Sequence, residues 1–151
     1  MAIGLYPESV SSKGKRFTAL AGGFRAAKPD PHYASYFDCF NRQEFYEAHE
    51  ALEYLWLPDR RGPNAAFYKG LIQLAAAFVH LQKYRLQPAT ALFKLARSNL
   101  EKYPGRHERL DVAAVRGLIG QWLDKLERGQ FGVNPLQPGT APKLKLEGHN
   151  A

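Results

Sequence analysis

At 151 residues, 45% apolar and 13% aromatic, the chain is the size of one ordinary domain with enough apolar side chains for a true core, and two large domains are excluded. Its single cysteine, Cys39, excludes an intramolecular disulfide and a cysteine-based zinc site, and no stretch approaches the roughly 20 apolar residues of a membrane span. The formal charge of +7 would by itself suggest an anionic partner, yet it divides into +3 over residues 1–32, +3 over 33–129 and +1 over 130–151, so more than half of it reads as solvated tail.

Residues 1–29 form a basic arm with little periodicity and no apolar run leading to a small-residue cleavage site, so the expected compartment is the cytoplasm. The folded domain is expected over 30–129, and 130–151 reads as a tail rich in Pro and Gly that ends in a short Lys/Leu alternation. The spacing within 30–129 predicts an all-α fold: a compact bundle of about five helices, mostly antiparallel neighbours because the connections are short, flanked by extended tails.

Asp30 and Pro31 are an N-cap and a first helical residue, opening a short helix that runs to about Phe40. The second helix is expected from Asn41, three residues before Glu44 in a capping-box arrangement, to just before Pro58. A loop over 58–63 separates it from a long, nearly apolar third helix, about Asn64 to Arg85, which should be the central and most buried one. Pro88 opens a fourth helix that stops before Pro104, and Asp111 caps a fifth that ends at Gly129.

The chemistry concentrates on the second helix. Phe45, Ala48, Leu52, Leu55 and Trp56 fall on its core side, and Tyr46, His49, Glu50 and Glu53 form the adjoining stripe at the core's edge. His49 and Glu53 are four apart and Glu50 and Glu53 three apart, so the three side chains can meet. Two such close carboxylates call for a positive neighbour, or one of them takes a raised pKa of the kind used in acid–base catalysis. On the third helix Lys69, Gln73 and His80 share a polar line, and Gly70 suits the close approach of another helix. Antiparallel packing of the two helices puts Gln73 level with Glu50, and Lys69 or Gly70 level with Glu53. It leaves His80 roughly 9 Å along the axis from His49, so a compact site that includes both needs a steep helix crossing or help from another helix.

The run Glu47-Ala-His49-Glu50-Ala-Leu-Glu53-Tyr-Leu-Trp56, followed by Gly70-Leu-Ile-Gln73-Leu-Ala75 and later His80, resembles domain-of-unknown-function family 309, across roughly residues 37 to 126. The resemblance implies an all-helical bundle without an established activity. It marks Glu47, His49, Glu50, Glu53, Trp56, Gly70, Gln73 and His80 as matching positions and supplies no role for them.

The reading that follows is a binding or interaction module, with a protein partner or a second copy of the chain, around a polar His/Glu/Gln groove between helices two and three. The alternative is a hydrolase-like or metal-assisted site with Glu50 or Glu53 as base, His49 as its partner and Gln73 orienting the substrate. No cofactor is required, although inward Glu and His on facing helices can hold a divalent metal. A further alternative is a nucleic-acid-associated factor using the basic arm; Arg60, Arg61, Lys94, Arg97, Lys102, Arg106, His107 and Arg109 could form a phosphate-binding surface, but no aromatic platform or nucleic-acid motif accompanies them and they read as a solvated basic face.

Overall fold

The computed structural model describes residues 28–149, so the basic arm lies, up to residue 27, outside the described residues. Asp30 opens the first helix, α1 (Pro31–Asn41), by accepting hydrogen bonds from the backbone N–H groups of His32 at 2.7 Å and Tyr33 at 3.4 Å. Four more helices follow: α2 (Phe45–Trp56), α3 (Ala65–Gln82), α4 (Leu86–Leu100) and α5 (Val112–Arg128). Each packs against the next along the chain, as their short connections require. Among the described residues no helix is long and apolar enough to cross a membrane.

The expected capping box at the start of α2 does not form. Asn41 is the last residue of α1, Gln43 takes a left-handed φ of 64° that breaks helical continuity, and α2 begins only at Phe45. The Asn41 amide is engaged elsewhere, as described below, and the Glu44 carboxylate lies 3.0 Å from the Arg42 guanidinium. Helix α3 likewise ends at Gln82 rather than Arg85, because Tyr84 turns the chain with a φ of 57°. Helix α4 starts two residues before Pro88, which sits in the first turn, where a missing N–H loses no intrahelical bond. Asp111 caps α5 by accepting from the Ala114 N–H at 2.9 Å, and Gly129 follows its last turn.

The core centres on Phe78 of the long central helix. Its ring meets Phe40 at 5.5 Å, Phe45 at 5.0 Å, Phe93 at 5.2 Å and Trp122 at 5.0 Å between centroids, so all five helices contribute a ring to one cluster. The buried Tyr36 hydroxyl donates to the Leu71 carbonyl at 2.6 Å, which satisfies its one polar atom inside that core.

Two further features complete the fold. A small antiparallel hairpin, β1 (Arg106–His107) with β2 (Leu110–Asp111), precedes α5, turning through Glu108 and Arg109, both at positive φ. His107 Nε2 lies 2.7 Å from Asn64 Oδ1, the Asn64 amide donates to the Glu108 carboxylate at 2.8 Å, and Tyr33 donates to the Glu108 carbonyl at 2.6 Å, fastening the hairpin to the bundle. The tail is also built into the fold. Its Lys/Leu alternation behaves as a strand, with Leu144 and Leu146 buried, Lys143 and Lys145 exposed and Leu146 bridged to Leu110. Asn41 Nδ2 donates to the Leu144 carbonyl at 2.8 Å and its Oδ1 accepts from the Leu144 N–H at 2.7 Å, a two-bond clasp between α1 and the tail.

Candidate functional site

The outer stripe of α2 follows from the period of the helix: with Phe45, Ala48 and Leu52 fixed in the core, Tyr46, Glu47 and Glu50 face solvent and His49 and Glu53 lie at the rim. Tyr46 is 54% exposed and its ring stands 5.5 Å from that of His49, so it packs on the imidazole rather than bonding to a glutamate. His49 Nε2 lies 3.8 Å from Glu53 Oε2, and each side chain keeps about a quarter of its surface (24% and 27%). That separation is an ion contact when the imidazole is protonated and too long for a hydrogen bond. The other ring nitrogen, His49 Nδ1, is buried without a hydrogen-bond partner, a cost that the fold accepts at this position. Glu47 and Glu50 make no side-chain hydrogen bond or ion pair among the described residues.

A cationic group closes the C-terminal end of the stripe. The Lys69 ammonium and the Arg60 guanidinium each lie 6.0 Å from the centre of the half-buried Trp56 ring, at the outer limit of a cation–π contact. Lys69 thus lies near the C-terminal end of α2, beside Trp56.

Gly70 and Gln73 turn out to serve a different helix from the one expected. A Cβ built on Gly70 would lie 3.0 Å from Leu100 Cγ and 3.2 Å from Asn99 Cβ, so the close approach that this glycine permits is that of α4. Gln73 Oε1 accepts from Asn99 Nδ2 at 2.7 Å, and Lys102 Nζ donates to Asn99 Oδ1 at 3.2 Å. The glutamine is thus tied toward α4 rather than to Glu50. His80 stays apart from this group, as its axial position required; its Nδ1 is buried and unpartnered, and burial, followed by Arg85 and Lys83, holds its pKa below the ordinary histidine range.

Among the described residues no group of three or more His, Cys, Asp or Glu side chains stands close enough together to hold a metal ion. The expected set His49, Glu50 and Glu53 therefore reduces to one contact, His49 with Glu53, beside two exposed carboxylates. The proposed basic surface is divided as well: Arg106 lies 3.9 Å from Asp111 and 3.6 Å from Glu147, and His107 is taken up in the hairpin network. Asn99 is the site residue that the sequence reading missed. Counting equal distances from the turn between α3 and α4 reaches Leu95, one helical turn short of Asn99, so local numbering alone does not reveal this pair.

Residues 33–92 match the model of a family described as a domain of unknown function (DUF309), a stretch that runs from within α1 to within α4 and holds all the motif residues named above. No curated protein and no solved structure matches the chain.

Proposed function

Since residues 33–92 match the model of a domain of unknown function, a description that carries no activity, we propose a function from the site alone: the chain is an interaction module whose α2 stripe receives a basic segment of a partner protein. The observation that supports it is the stripe itself. In a chain of net charge +7, Glu47, Glu50 and Glu53 stand along one helix with, among the described residues, only His49 in ion contact, and the exposed Tyr46 supplies the aromatic contact that interfaces favour. Protonated His49 and a partner's Lys or Arg would compete for Glu53, so the partner binds best when the imidazole is neutral. The reading takes the cytoplasm as the compartment, where a single unpaired cysteine is at home.

The test is affinity capture with the full chain, then titration of the purified partner against wild type, Glu53→Gln and Tyr46→Ala. The module reading expects each variant to bind at least about tenfold more weakly, a loss of about 1.4 kcal/mol. Equal affinities across the three proteins would sink it.

A further inference from the structure

A hollow of about 330 Å³ opens between α4 and α5, on residues that the α2 stripe does not use. One wall carries Lys94 and Arg97 from α4, and the other carries Glu127 and the backbone of Gly120 from α5. The side chains of Lys94, Arg97 and Glu127 make no hydrogen bond or ion pair among the described residues, whereas Asp124 is held 2.9 Å from Arg128 on its own helix. The charges therefore stand apart across open space, with Leu123 and Phe131 offering an apolar surface beside them.

Gly120 makes the space. It sits inside a 17-residue helix, where glycine costs about 1 kcal/mol relative to alanine, and a Cβ built on it meets nothing within 4 Å. Gly70 is small because α4 presses on it; no helix presses on Gly120, so its missing side chain widens a hollow instead of permitting a contact. The volume lies at the small end of the roughly 300–1,000 Å³ of ligand pockets, which suits one small molecule.

We propose that this hollow binds a small zwitterion of the α-amino-acid type, with its carboxylate toward Lys94 and Arg97, its ammonium toward Glu127 and its apolar body against Leu123 and Phe131. A simple anion would leave Glu127 unanswered, and a simple cation would leave Lys94 and Arg97 so.

The experiment is an NMR titration of the full chain with L-phenylalanine, N-acetyl-L-phenylalanine, which lacks the ammonium, and phenylalaninamide, which lacks the carboxylate. Saturable shifts confined to α4 and α5 with phenylalanine are expected, together with binding at least about tenfold weaker for either blocked compound. Gly120→Leu puts a side chain into the hollow from a position where a Cβ meets nothing within 4 Å, so it should abolish the shifts while melting no lower than wild type. Glu127→Gln, a second variant at an exposed position, should weaken phenylalanine and leave N-acetyl-phenylalanine unaffected. No saturable shift with phenylalanine, equal binding of the blocked compounds, or undiminished binding to Gly120→Leu would each overturn the proposal.

Discussion

Helix α2 has two sides that obey different rules. Its inner side puts Phe45 into the cluster of aromatic rings around Phe78, whereas its outer side leaves one imidazole nitrogen buried without a partner and, among the described residues, two carboxylates unengaged. The same twelve residues thus hold the fold together on one side and, on the other, carry groups that the fold does not need. Of these, the exposed carboxylates are the groups that a basic partner can reach, in exchange for their hydration.

The sharpest way to break this contrast is at its centre. Phe78→Ala empties the position on which four rings converge and should cost about 3–5 kcal/mol in urea unfolding, enough to unfold much of the population of a marginally stable domain. A loss under about 1 kcal/mol would show that the rings repack without it. Next in size is Asn41→Leu, which strips both bonds from Leu144 and leaves a partly buried N–H and C=O unpaired, for an expected loss of about 1–3 kcal/mol. The same measurement tests whether the tail belongs to the cooperative unit. Gly70→Ala is smaller: its methyl gains about 1 kcal/mol of helix propensity but presses on Leu100, at about 1–3 kcal/mol for overpacking, so a net loss is expected.

Acid should weaken the fold by a more modest amount. His80 and His107 both have pKa values held below the ordinary histidine range, chiefly by burial, so the unfolded chain takes up protons that the folded one refuses. Their contribution is complete above the unfolded value of about 6.5 and is lost as the pH falls below it. Melting temperatures at pH 7.5 and 5.5 should therefore differ, with the acid sample lower, and His80→Gln should reduce the difference. A pH-independent melt would contradict this assignment.

The legibility of these features tracks how local their causes are. Asp30 before Pro31, Asp111 before the periodic run of α5 and Gly129 after it are signals complete within a few residues, and each marks the helix end that it predicts. The centrality of α3 follows from its composition. Asn41 misleads because its side chain is claimed by Leu144, 103 residues away, a competitor that no local pattern reveals. The hairpin is hidden because its two left-handed residues are Glu108 and Arg109 instead of the Asn and Gly that usually announce such a turn. At the site, helical spacing suffices to join His49 to Glu53 and to exclude His80, while the partner of Gln73 depends on the register between α3 and α4 rather than on the helix that carries the motif.

The central claim is that the outer side of α2 is not part of what holds the fold. His49→Leu tests it directly, because leucine covers the same rim, removes the unpartnered Nδ1 and ends the contact with Glu53, itself worth no more than about 0.5 kcal/mol at this exposure. Measured by urea unfolding beside wild type, the variant should be as stable or more stable. A loss of more than about 1 kcal/mol would mean that the imidazole is a fastening of the bundle and the stripe a structural network.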